Sequence, residues 1–371
     1  MIEYLHSLPK EDGFQMPAEF GPRAATILIW PTRPGSWGKD PSEAEYAFTR
    51  VIRELSAEEK VYVLADGEGL ARARGKVGDR AEILEIPTND AWARDVGPTF
   101  VTDGKRVRGV NWRFNAWGGD YDGLYADWAL DDQAAGRVLE KLGYAGYDAG
   151  DFVLEGGSVH ADGEGTLLVT EACLLSPGRN PGLSRGQIAE KLKDYLGVRK
   201  ILWLPRGIYG DETNEHVDNM CAFTKPGEVL LAWTDNENDP QYALSRETLA
   251  YLEKERDAAG RKLKITKLPI PDYPILLTEE DVEGYAFEPG EDTREAGERM
   301  AVSYVNFYFG KKTILAPVFG GVNEKSDQRA LSILRKACPD RKVIGVPAMA
   351  ILKGGGNIHC VTQQIPEGAR A

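Results

Sequence analysis

Five helical patterns recur along this chain, and most of them are followed by a short β-rich run and then a loop. That alternation constrains the fold more than any other feature. Ser42-x-x-Glu45 has the form of a capping box, and Ala44, Phe48, Val51, Ile52 and Leu55 then follow helical spacing. Val138, Leu139 and Leu142 make a second face. Ser184-x-x-Gln187 opens a third, with Ile188, Leu192 and Leu196. Residues 245–257 and 328–338 supply the fourth and fifth. The β-rich runs lie at 26–30, 61–64, 166–170, 201–204, 229–233, 263–268, 302–309, 313–318 and 343–346. No low-complexity linker or change of composition interrupts the series. The simplest expectation is one α/β domain over residues 1–371, made of about five quasi-repeats of a few strands and one helix.

Composition narrows the partners. The 371 residues carry a net charge of −13, which disfavours nucleic acid and suits a cationic ligand as well as plain solubility. Hydrophobic residues make up 42%, with eight Trp, enough for a sizeable core. The four Cys show no CxxC spacing, so neither a zinc ribbon nor a disulfide scaffold is indicated. No apolar run is long enough to span a bilayer, and the first residues lack a basic-then-apolar leader. The expected setting is the reduced cytoplasm.

The unusual residues sit in the loops. One loop holds Trp92, Arg94 and Asp95 ahead of Gly97-Pro98; another holds Glu155-Gly156-Gly157-Ser158. A third runs from Asp211 and Glu212 through His216 to Asp218. The last is Gly354-Gly355-Gly356-Asn357-Ile358-His359-Cys360. If the repeats surround an axis, these loops converge on a carboxylate-rich pocket with one His and one Cys. Glycines let backbone approach a ligand closely, so Cys360 after three of them is a candidate nucleophile, or else a buried structural thiol. No Lys-Ser/Thr follows the glycines, which argues against a phosphate cradle. Residues 358–362 read as a β-like run, which would send His359 and Cys360 to opposite faces and keep them from joining one metal site. On a strand, His216 and Asp218 would share a face, as a catalytic pair, a metal fragment or a polar strand face. His160 reads as structural. Arg94 beside Asp95 alone would be a surface ion pair, but Trp92 and Gly97-Pro98 favour a binding loop. The acidic stretch 279–298 reads as a solvated loop.

A thiol, a His and paired carboxylates together suit one chemistry. A guanidinium is a planar cation with five N–H donors that two carboxylates can hold. Its carbon is a poor electrophile, but a thiolate attacks it once the cation is fixed in line. A free Cys needs activation, which a neighbouring imidazolium or the cationic substrate can supply. The His then protonates departing ammonia and activates water.

At this point the residues resemble a known family, the agmatine deiminases. The similar motifs are Gly354 to Gln364 (GGGNIHCVTQQ), Asp12 to Phe20 (DGFQMPAEF), Trp92 to Pro98 (WARDVGP), Glu155 to Ser158 (EGGS) and Glu212 to Asn219 (ETNEHVDN). They span nearly the whole chain, in order. The resemblance implies a pentein-type α/β propeller of five ββαβ units around a pseudo-fivefold axis. It implies hydrolysis of agmatine to N-carbamoylputrescine and ammonia, without metal or organic cofactor, on a path of polyamine synthesis or agmatine breakdown. Carried over, Cys360 is the nucleophile and His216 the acid/base. Asp95 and Asp218 grip the guanidinium, Glu155 assists in binding and proton handling, and Trp92 walls the channel. Gly356 belongs to the loop against the substrate. Glu215 stands where many members have Gly. Homo-oligomers, dimers or tetramers, are common in the family.

Substrate choice has a separate basis. Free arginine would need a cation for its α-carboxylate, whereas the ammonium tail of agmatine suits Asp211, Glu212 and Trp92. A bacterial-type peptidylarginine or arginine deiminase is the neighbouring alternative. A non-catalytic pentein that binds a partner is the distant one, and retention of the Cys, His and carboxylates argues against it.

Overall fold

The computed structural model describes residue 2 and residues 4–371. Its strands fall into five small sheets, and all five repeat one plan. In the fourth, strand Cys221–Lys225 runs antiparallel to Glu228–Trp233, helix Gln241–Leu252 crosses over, and Lys264–Pro269 returns parallel to Glu228–Trp233. The same ββαβ order is seen with helix Ala129–Leu142 between Arg106–Arg113 and Gly146–Val153, and with Arg185–Leu196 between Thr166–Thr170 and Lys200–Leu204. It recurs with Glu324–Ala337 between Thr313–Val318 and Lys342–Pro347. The remaining unit joins the two ends of the sequence. Its helix Ser42–Ser56 links Arg23–Ile29 to Lys60–Ala65, but its antiparallel strand is Gln363–Pro366, with Gln363 opposite Ile27. Five units closed in this way give the pentein-type α/β architecture.

Each parallel pair needs a crossover, and an amphipathic helix supplies it. Phe48, Val51, Ile52 and Leu55 of the first helix are all 0% exposed. Burying each such side chain stabilises the fold by about 1.5–3 kcal/mol. The inner strands are covered on both faces, so they read as unbroken apolar runs; Leu230 and Leu231 are adjacent and both fully buried. Ser184 and Gln187 form the capping box expected of them.

Several local expectations change. The helix at Ser42 has Pro41 as N-cap and no side-chain cap, because Ser42 turns back to Asp40. Glu45 instead accepts from Trp30 Nε1 at 3.1 Å. The fourth helix begins at Gln241 and ends at Leu252. The run 302–309 is strand only at Tyr308–Phe309. Helix Gly67–Val77 and strands Glu82–Glu85, Thr99–Thr102, Arg106–Arg113 and Gly146–Val153 were not legible as elements. Glycine and charge interrupt the apolar pattern of most of them.

Candidate active site

The polar residues sit where each unit's antiparallel strand is entered. Asp95 lies in the helical turn Ala93–Val96, just ahead of Thr99–Thr102. Glu155 precedes the turn Gly156–Ser158 and strand His160–Ala161. His216 caps the turn Val217–Met220, which holds Asp218 and leads into Cys221–Lys225. Asn306 precedes Tyr308–Phe309, and Cys360 precedes Gln363–Pro366. The ring therefore brings five entry turns to one place, as the convergence of loops predicted.

Two readings of local geometry are corrected. His216 and Asp218 meet across a helical turn, not along a strand. Residues 358–362 also form a turn, closed by Thr362 N–H donating to the His359 carbonyl at 3.1 Å. That turn lets neighbours reach the same carboxylate. His359 Nδ1 lies 2.9 Å from Asp218 Oδ2, and Cys360 Sγ lies 3.6 Å from the same oxygen.

Around His216, Nδ1 is 4.0 Å from Asp95 Oδ2 and Nε2 is 3.8 Å from Glu155 Oε2. Asp95 is held by the Trp117 indole at 2.9 Å and the Gly157 N–H at 2.8 Å. Glu155 is held by Arg179 Nε at 2.6 Å, with both residues wholly buried. Gly157 lies between these groups. A Cβ there would come 2.6 Å from His216 Nδ1, 2.9 Å from Asp95 Oδ1 and 3.0 Å from Asp218 Oδ2. Gly356 is confined likewise, since its Cβ would meet the Trp92 ring at 2.5 Å. Asn306 Nδ2 lies 3.3 Å from Cys360 Sγ.

Electrostatics follow from burial and neighbours. Burial opposes the His216 imidazolium, but Asp95 and the groups around it outweigh burial and hold its pKa well above the usual value. Burial pushes the Cys360 thiol well up, and the Asp218 and Asp95 carboxylates add to the rise. Asp95 is raised by burial. Asp218 and Glu155 are lowered against burial, by His359 and by Arg179 respectively. Cys173 lies against His216 and Glu155, with ligand atoms within 4.8 Å of one another. Arg179 already neutralises Glu155 there, which makes this an ion-paired cluster and a poor metal cage.

Above these groups opens a pocket. Trp92, Asp95, His216, Gly356 and Cys360 line it, as do Asp211 and Glu212. Glu155 and Asp218 lie behind the surface, against His216 and Cys360. Seven carboxylates and two arginines line the pocket. Both arginines are paired: Arg33 with Glu291, and Arg294 with Glu212 at 2.6 Å. Glu291 and Arg294 come from the acidic stretch, so it is a wall of the pocket and not only a solvated loop. Asp292 N–H donates to the Leu124 carbonyl at 2.9 Å and fixes that wall.

Other residues escaped the sequence reading. Arg94 is fully buried and pairs not with Asp95 but with Glu19, at 3.3 Å. Glu19 also lies 2.9 Å from His359 Nε2. His160 is buried behind this pair and held to about 4 by burial, so it is neutral. Asn306 fell inside an apolar run. Its signal was positional, for it occupies in its unit the entry that Asp95, His216 and Cys360 occupy in theirs.

Comparison with known proteins gives concordant results. The family model for Porphyromonas-type peptidyl-arginine deiminases matches residues 15–366. A provisionally assigned agmatine deiminase of Selenomonas ruminantium is 57% identical over 365 residues, 97% of this chain and 98% of that one. The agmatine deiminase of Pseudomonas aeruginosa is 48% identical, covering 98% of this chain and 99% of its own. Among solved structures, the agmatine deiminase of Enterococcus faecalis superposes with a TM-score of 0.95 at 40% identity, covering 99% and 100% of the two chains.

Proposed function

This chain belongs to the agmatine deiminases, within the Porphyromonas-type peptidyl-arginine deiminase family, and from that membership we propose that it hydrolyses agmatine to N-carbamoylputrescine and ammonia. The observation that carries the reading is the convergence of Cys360, His216 and the Asp95 and Asp218 carboxylates at the inner end of an acidic pocket. Asp95 and Asp218 take the guanidinium N–H groups. The bound cation offsets the two carboxylates that disfavour a thiolate, so substrate binding itself favours loss of the Cys360 proton to water. The Asn306 amide stabilises the sulfur anion as a donor.

The sulfur then attacks the guanidinium carbon. The His216 imidazolium gives its proton to the departing nitrogen, and ammonia leaves an amidino thioether on Cys360. Neutral His216 next takes a proton from water as it adds to that carbon. The C–S bond breaks, the thiolate is restored and N-carbamoylputrescine is released. Glu155, fixed by Arg179, holds the ring of His216 in place for both transfers.

The tail subsite favours agmatine over arginine. Among the lining residues no cation is left unpaired to receive an α-carboxylate. Seven lining carboxylates against two paired arginines leave an excess, Asp211 included, that suits an ammonium, while Glu212 is already paired with Arg294. The wall from the acidic stretch, fixed by Asp292 to Leu124, is expected to hinder an arginine within a peptide. By the same reading residues 1–371 act as one domain, working in the cytoplasm as a dimer or tetramer. Four unpaired cysteines suit that reducing setting.

Ammonia release from agmatine by the purified protein is the test. Cys360→Ala is expected to abolish it, and arginine and a blocked arginine peptide to be poor substrates. Equal ammonia release by Cys360→Ala, or none from wild type, overturns the reading.

A further inference from the structure

Behind Cys360 lies a buried row of charges of which the proposed chemistry uses only Asp218. Asp218 Oδ2 is 2.9 Å from His359 Nδ1, and His359 Nε2 is 2.9 Å from both oxygens of Glu19. Glu19 Oε1 is 3.3 Å from Arg94 Nη1. Asp218, His359, Glu19 and Arg94 are each no more than 2% exposed. With His359 protonated the row holds two anions and two cations and is neutral. Two polar atoms of the row, Arg94 Nη2 and Asp218 Oδ1, are buried and have no hydrogen-bond partner.

A carboxylate with one occupied and one free oxygen is what a guanidinium site needs. Left alone beside a thiol, a buried Asp would rotate or take up a proton. We propose that His359 is a positioning residue which, clamped between Asp218 and Glu19, fixes Asp218 with Oδ1 free for the substrate guanidinium and Oδ2 beside Cys360. His359 touches no reacting atom and acts through Asp218. The charged groups facing Asp218 are His359, His216, Arg94 and Cys360, with Asp95 nearby. Those facing His359 are Asp218, Glu19, Arg94 and His160. Burial opposes an ionised Asp218, and the hydrogen bond and charge of His359 are the largest of the effects that keep its pKa low. The inference deepens the agmatine reading and rests on it.

The test measures kcat, KM and the pH profile for agmatine with wild type, His359→Gln, His359→Asn and His359→Gln/Glu19→Gln. In His359→Gln, Asp218 loses its cation and its pKa rises. The acid limb of kcat/KM is expected to move to higher pH, and KM to rise about 10- to 100-fold, the size of a lost charge-assisted hydrogen bond. The smaller kcat loss marks a binding effect. The Asn amide can stand where Nδ1 stands, so His359→Asn is expected to be less impaired. Adding Glu19→Gln removes the surplus anion and is expected to return the acid limb toward wild type. It is also expected to restore folding if His359→Gln alone does not fold. Wild-type KM and acid limb in His359→Gln overturn the proposal, as do equal losses in the Gln and Asn variants with an unmoved limb. A double variant that recovers neither limb nor fold also overturns it. Wild type that releases no ammonia overturns the agmatine reading instead, so the two failures are distinct.

Discussion

At neutral pH the structure holds Cys360 as a thiol and His216 as an imidazolium, because both pKa values lie above their usual ranges. The order matters for reagents. A neutral alkylator such as iodoacetamide is expected to label Cys360 slowly at neutral pH and faster as pH rises toward the raised thiol pKa. A cationic haloacetamidine with the same leaving group carries the charge that the carboxylates await, and is expected to react faster at neutral pH. The mass of the peptide bearing Cys360 reads both rates, and agmatine is expected to protect it. Equal rates for the two reagents at neutral pH would contradict the protonation states assigned. Most of the residues involved were legible singly, since Cys360, His216, Asp95 and Glu155 stand in loops rich in glycine and turn residues. Glu19, Arg94 and Asn306 were not, because their partners lie in other units. Arg94, read as part of a binding loop, is an internal charge paired with Glu19.

The turn that delivers His216 shows why helix and strand patterns miss site geometry. Asn214 and Glu215 have φ of 62° and 65°, the left-handed region that favours glycine. Asn214 is held by Arg179 at 2.6 Å and Asp122 at 2.9 Å. Glu215 is held by the Gly207 N–H at 2.6 Å and by Arg206. At a position whose angle favours glycine, this chain holds the conformation through side-chain anchors. Glu215→Ala loses the anchors and retains the strained angle. Glu215→Gly loses the anchors but relaxes the angle, and is expected to be more stable than the Ala variant by about 1 kcal/mol. Thermal unfolding of the two proteins checks the order, and a less stable Gly variant would place the cost elsewhere. The amphipathic helices, by contrast, were readable because 3.6-residue spacing is local. Strands such as Arg106–Arg113 were hidden by alternating charge.

Over the whole molecule, the closing contact is the pairing of Gln363–Pro366 with Arg23–Ile29. No periodicity in the sequence announces it, since the partners lie at opposite ends of the chain. The repeated units were legible; which strand completes the first unit was not. A chain ending at Thr362 retains Cys360 and every residue proposed to act with it, yet leaves one edge of Arg23–Ile29 unpaired. It is expected to be inactive and to aggregate, as seen by light scattering and lost near-ultraviolet circular dichroism. A soluble, active truncated protein would show that closure is dispensable.

The same pairing sets a timetable for biosynthesis. Arg23–Ile29 leaves the ribosome well before its partner, Gln363–Pro366. Throughout elongation the nascent chain carries a hydrophobic strand with an open edge, a template for intermolecular pairing. Cys360 also stays unpositioned until that partner strand docks, so the thiol gains its carboxylate neighbours only after Gln363–Pro366 has emerged. Slow elongation or a shortage of chaperones would therefore endanger this enzyme through Arg23–Ile29, the strand that waits longest.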